Sequence, residues 1–210
     1  MEQVFYFLVL IFSVILHEVA HGYMANYLGD PTARLAGRLT LNPVSHIDPL
    51  GSIMLPAFLV FTGSPVLIGY AKPVPYNPYN LPGTYDELLV AGAGPATNIL
   101  LALIFGLAIR FLGAGLDPAL VGAFGGIVYI NMLLALFNLI PIPPLDGSKV
   151  LSGLLPGALG RAYDELRASL ERLGVLGGTL VILLVFYFIL APFLIVLLQA
   201  LFHLLTGVSL

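Results

Sequence analysis

The chain has 210 residues, of which 59% are hydrophobic and 9% charged, with no cysteine and a net charge of −3. Ordinary soluble domains carry about 25% charged residues, so this composition excludes a soluble globule, and its hydrophobicity excludes a disordered chain. No run of Lys or Arg is present to neutralise phosphates, which excludes nucleic acid as a partner. The lack of Cys excludes a disulfide scaffold and thiolate metal ligands. A mean hydropathy of +1.02 instead predicts an integral protein of the lipid bilayer, and the length predicts one domain.

The first apolar run, Val4 to Leu28, has 25 residues, about 37 Å as a helix and enough to cross a hydrocarbon core of about 30 Å. Its length, its missing basic n-region and its internal His17, Glu18 and His21 distinguish it from a signal peptide. Residues 30–51 form the most polar early segment, where the alternation from Ala36 to Leu41 predicts strand and turn. Ile53 to Tyr70 is apolar but interrupted by Thr62-Gly63-Ser64-Pro65, and the prolines from Pro73 to Pro78 exclude regular helix. Two further apolar stretches follow, Leu88 to Leu112 and Leu120 to Ile140. The second ends in Pro141-Ile142-Pro143-Pro144-Leu145-Asp146-Gly147. Tyr163, Leu166, Leu170 and Leu173 share one stripe of an interfacial amphipathic helix, and Val175 to Leu205 is a last span, kinked near Pro192. The expected fold is an all-α polytopic membrane protein. It has about four transmembrane helices, a re-entrant or β-hairpin segment and one interfacial helix, in a single domain 1–210. Residues 1–155 form its core, and 156–210 its interfacial helix and last span.

His17-Glu18-Val19-Ala20-His21 carries the chemistry. The i, i+4 spacing stacks two imidazoles on one helix face, where both can bind one metal ion. Glu18, between them in sequence, is placed to act as general base on water. Two imidazoles and a carboxylate at bilayer depth are costly without a shared purpose. A catalytic zinc keeps three protein ligands, so one is missing, and His46, Asp48, Asp86, Asp117, Asp146 and His203 are candidates. Asp146 stands out. It follows a Pro-rich break after an apolar helix, and Gly147 permits a tight turn beside it. Non-helical backbone at that depth is tolerated where it lines an enclosed or watery cavity.

The His17-Glu18-x-x-His21 motif, Gly94-Pro95-Ala96-Thr97-Asn98 and the run from Asn138 through Pro141 and Pro144 to Leu145-Asp146-Gly147 together resemble the site-2 protease family of intramembrane zinc metalloproteases. The resemblance covers residues 1 to about 155. It implies one Zn2+ per chain held by His17, His21 and Asp146, with Glu18 activating water and Asn138 assisting substrate or oxyanion binding. It also implies that Gly69-Tyr70-Ala71-Lys72 is an edge strand that pairs with an unwound substrate segment. Asn98 is a candidate substrate contact, with hydrogen bonding between helices as its simpler role. With no room for a PDZ or CBS domain, the chain resembles the minimal bacterial or archaeal form. Its expected substrates are transmembrane segments of other proteins.

Charge tests the ligand assignment. His17 and His21 lie late in the first span and Asp146 follows the end of the fourth stretch, so both segments must cross in one direction to meet. That requires Ile53 to Tyr70 to enter and leave by the same face. Seven of the eight basic residues then share that face and Arg110 stands alone on the other, as the positive-inside rule prefers. A multi-pass protein of the cytoplasmic (inner) membrane follows, with its N-terminus outside and its active site toward the cytoplasm. A metal-ion carrier is the alternative, since intramembrane His and Asp also mark ion pathways, but the spans hold no ladder of further charges. A catalytically silent, substrate-holding homologue is a third reading, and the intact Glu18 argues against it.

Overall fold

In the computed structural model the described residues are 2–54, 58, 61–62, 71–172, 174, 177, 184–186 and 190–209. Helix α1 runs over Glu2–Leu28 without a proline. It stops where Gly29 takes φ +116°, a conformation that favours glycine and ends helices. A single turn, α2, covers Thr32–Leu35. The strand expected from Ala36 to Leu41 is absent, and no strand occurs among the described residues. Gly37 at φ +65° turns the chain, and Pro43 opens a 3-10 turn over Pro43–His46. Ladder pairing gives way to these local turns. Most of Ile53 to Tyr70, including Gly69 and Tyr70, lies outside the described residues.

Helix α3 spans Asp86–Leu112, with Asp86 and Glu87 in its first turn and Pro95 inside. The two carboxylates oppose the positive end of the helix. Helix α4 spans Pro118–Asn138. Asp117 caps it by accepting from the Ala119 N–H, with Pro118 in the first turn, where a missing N–H leaves no bond unmade. Then come α5 (Asp146–Leu154), α6 (Gly157–Glu171) and α7 (Ala191–Thr206). Helix α6 covers most of the amphipathic stretch, Arg161 to Leu173, expected from the sequence, and begins four residues earlier. Pro192 sits in the first turn of α7, with Leu190 before it already in helical backbone. Most of 173–189 lies outside the described residues.

Three described helices, α1, α3 and α4, are long and apolar enough to cross a membrane. Cross-helix contacts set their directions. His21 meets Val90 and His17 meets Asn98, so α3 runs against α1. Tyr6 packs on Gly126 and Ser13 bonds Asn131, so α4 runs with α1. The chain therefore leaves α1 and enters α3 at the same end. Away from that end, Ala102 and Ile109 of α3, Val128 and Met132 of α4, and Leu198 and Phe202 of α7 close an apolar core.

Candidate metal centre

His17 and His21 project from one face of α1, 5% and 9% exposed. Their ring centroids lie 4.7 Å apart with the planes at 86°. His21 is seven residues from the end of α1, so the pair lies roughly 10 Å inside that end. Asp146 reaches it from the first residue of α5. The loop over residues 139–145 is folded by Ile142 N–H donating to the Ile140 carbonyl and Leu145 N–H to the Ile142 carbonyl. Tyr163 of α6 donates to the Pro141 carbonyl at 3.0 Å. Gly147 is required here. A Cβ on it would lie 2.6 Å from the Ile140 carbonyl oxygen and against the Leu139 carbonyl as well.

The result is a compact triad. Asp146 Oδ2 lies 3.0 Å from His17 Nε2 and 3.3 Å from His21 Nε2, and the two Nε2 atoms are 3.1 Å apart. Each Nδ1 already faces an oxygen that accepts from it: Asn98 Oδ1 at 2.6 Å for His17 and the Val90 carbonyl at 2.7 Å for His21. In the neutral rings the protons therefore sit on Nδ1, and both Nε2 lone pairs converge on a carboxylate oxygen. Three such lone pairs repel one another unless a cation lies among them. Ligands about 2.0–2.1 Å from a tetrahedral zinc ion stand roughly 3.3 Å apart, close to the separations found. Helix α3 leaves the space open at Gly94, where a Cβ would lie 2.6 Å from His17 Nε2 and against His21 Nε2. The donor set fits zinc. Among the described residues this is the one group of three acidic or imidazole side chains close enough to share a metal.

Glu18, half-buried, points to a different neighbour. Its Oε2 accepts from the Val74 N–H at 2.9 Å. Val74 stands between Pro73 and Pro75, so its N–H is the sole backbone donor of that tripeptide. The surrounding strap is pinned along its length. Lys72 N–H donates to the His46 carbonyl, and Arg38 Nη2 donates to the Lys72 carbonyl at 2.7 Å. Lys149 Nζ donates to Tyr76 Oη at 2.8 Å. Asp30, 0% exposed, accepts from Thr32 N–H and Oγ1, from Asn77 N–H at 2.6 Å and from Asn80 Nδ2 at 2.8 Å. Burial pushes the Asp30 carboxyl up, but these donors outweigh it and hold the carboxyl below its ordinary value.

The remaining candidates fall elsewhere. His46 is 2% exposed and its Nε2 donates to the Thr40 carbonyl. Asp48 accepts from Gly51 N–H, Asp86 from Gly83 N–H and Asp117 from Ala119 N–H. His203 lies in the last turn of α7. Asn138 ends α4 with its Nδ2 on the Leu134 carbonyl, and no hydrogen bond or ion pair joins it to the triad among the described residues. Ala71 is described, without neighbours 69 and 70. Asn98, a candidate substrate contact with hydrogen bonding between helices as its simpler role, is 0% exposed and lies beneath His17, bonded also to Asn131. Val74 and Asp30 lie outside every motif of the sequence. The Pro-Val-Pro pattern was the available signal for the first.

A family model described as peptidase family M50 matches residues 114–185, which take in the run from Asn138 to Gly147. YwhC of Bacillus subtilis (strain 168), named as a proposed zinc metalloprotease, is 38% identical over 156 residues, 70% of this chain and 67% of its own. The chain belongs to peptidase family M50. This is the site-2 protease family, one of zinc metalloproteases, and Zn2+ is its metal. Rip2 of Mycolicibacterium smegmatis, similarly named, is 34% identical over 139 residues, 64% of this chain. MJ0611 of Methanocaldococcus jannaschii is 45% identical over 62 residues, 30% of this chain and 31% of its own. The match spans about half of the length of Rip2. No solved structure matches.

Proposed function

We propose that this member of the family hydrolyses peptide bonds within transmembrane segments of other proteins. The meeting of His17 Nε2, His21 Nε2 and Asp146 Oδ2, with Glu18 on the same turn of α1, carries this reading. His17, His21 and Asp146 are the zinc ligands. Zinc held there supplies Lewis-acid polarisation of a carbonyl and lowers the pKa of a nearby water to about 7. Glu18 takes a proton from the attacking water as its oxygen bonds to the scissile carbonyl carbon. The same carboxyl returns the proton to the amide nitrogen as the C–N bond breaks. Val74 N–H holds one oxygen of that carboxylate in place. Asn138, once free of the Leu134 carbonyl, offers its amide to the carbonyl oxygen.

An intact substrate helix hides its carbonyls in its own hydrogen bonds, so it must open locally. Gly69 to Lys72 serve as an edge against which the opened segment is held extended. The active site faces the cytoplasm in a cytoplasmic membrane, with the N-terminus outside. Residues 53–70 re-enter the bilayer by the face they left. The common end of α1 and α3 supports this orientation, as does the crowding of basic residues there.

The test combines metal content and cleavage on the detergent-purified chain. One zinc per chain is expected in the wild type and in Glu18→Gln, and none in His21→Ala or Asp146→Ala. Cleavage of a co-reconstituted transmembrane reporter is expected from the wild type alone. Zinc retained by Asp146→Ala would move the third ligand elsewhere, and full cleavage by Glu18→Gln would overturn the mechanism. Zinc carried into proteoliposomes without cleavage would favour a carrier.

A further inference from the structure

Below the imidazoles lies a chain of polar side chains that hydrolysis itself does not use. Asn98 and Asn131 are each 0% exposed and Ser13 is 4% exposed, and they come from α3, α4 and α1. Asn98 Nδ2 donates to Asn131 Oδ1 at 2.8 Å and approaches the Ser13 carbonyl at 3.4 Å. Asn131 Nδ2 donates to Ser13 Oγ at 3.0 Å and to the Ile127 carbonyl at 2.9 Å. Burial of three polar side chains between apolar helices makes every unmade bond in this chain costly.

The chain has a direction. The Ser13 and Ile127 carbonyls only accept, so they draw the nitrogen end of each amide toward themselves. That leaves Asn131 Oδ1 facing Asn98 Nδ2, and Asn98 Oδ1 facing His17. An acceptor at that place keeps the His17 proton on Nδ1 and leaves Nε2 free as a ligand atom. A flipped Asn98 amide would present a donor instead. The ring would then turn its lone pair to Asn98 and an N–H to the metal. His21 has no such dependence, because its Nδ1 donates to a backbone carbonyl that cannot flip.

We propose that Asn131, supported by Ser13, is a positioning residue for the metal centre, acting through Asn98 to hold His17 in its metal-binding tautomer. This rests on His17, His21 and Asp146 being the zinc ligands. Loss of partners that orient metal-ligating histidines lowers metal affinity by about 10–100-fold. Asn131 makes no hydrogen bond to either imidazole, yet its removal should weaken zinc binding by about tenfold, at the lower end of that range.

The test is zinc affinity of the full chain by competition with a chromophoric chelator, beside the visible spectrum of the cobalt(II)-substituted protein. Asn131→Ala should weaken zinc binding and shift the cobalt bands, and the milder Ser13→Ala should do so to a smaller degree. Asn98→Ala should weaken it more, and adding Asn131→Ala to that variant should change nothing further. Asn98→Asp offers oxygen to His17 whichever way it turns, so Asn98→Asp with Asn131→Ala should bind zinc as the wild type does. Zinc binding and spectrum unchanged in both Asn131→Ala and Ser13→Ala would overturn the proposal, as would an additive loss in the double alanine variant. Failure of the wild type to bind zinc, or zinc retained by His17→Ala, would instead overturn the ligand assignment.

Discussion

Gly94→Ala places a methyl group where the two imidazoles meet. Its carbon would lie 2.6 Å from His17 Nε2 and against His21 Nε2, inside any tolerated separation. Neither ring can swing aside freely, since each Nδ1 is bonded at 2.6–2.7 Å to an oxygen on α3. The methyl must break one of these buried bonds or fill the space between the nitrogens. Such overpacking costs about 1–3 kcal/mol, which in a chain of this size lowers the unfolding midpoint by roughly 2–12 °C. Disturbing the orientation of a ligand imidazole weakens metal binding by about 10–100-fold. Gly92, two residues earlier in α3, has nothing within 4 Å of where a Cβ would stand, and Gly92→Ala is the matched control. Zinc per chain, chelator competition and thermal unfolding in detergent are measured on both. Zinc affinity should fall at least tenfold in Gly94→Ala and hold in Gly92→Ala. Equal, undiminished affinity in the two would refute the geometry of the centre.

Val74→Pro removes the N–H that holds Glu18 and keeps an extended backbone between two prolines. Loss of a hydrogen bond to a charged group is worth about 1.5–3 kcal/mol. Cleavage of a transmembrane reporter should therefore drop by roughly 10–100-fold with zinc retained, and Val74→Ala, which keeps the donor, should lose less. Asp30, whose carboxyl is held below its ordinary value, contributes stability that is fully present above about pH 4, where an unfolded Asp is ionised. That contribution is lost as pH falls through the lower folded value. Limited proteolysis of the strap should accelerate in acid for the wild type. In Asp30→Asn it should already be faster at neutral pH and vary less with acid. A reporter fused at Met1 should respond on the outer face of the membrane, and a cytoplasmic response would reverse the orientation.

Local periodicity determined much of this protein. An apolar run with His17 and His21 four residues apart places both rings on one helix face whatever the rest of the chain does. The stretches that became α1, α3 and α4 were legible from length and hydropathy, because a span needs about 20 apolar residues. The strand expected near Ala36 was not, since alternation over six residues cannot show whether a pairing partner lies alongside. Tertiary structure alone decided the rest. It brought Asp146 to histidines some 125 residues earlier, set Gly94 against both rings and turned Asn98 inward beneath His17. It also laid the N–H of Val74 on Glu18. Each of these contacts depends on the rotation and vertical register of one helix or strap against another. Spacing along the chain carries no record of either, because shifting α3 along its axis by one turn would leave its sequence pattern unchanged and give every residue that faces α1 a different partner.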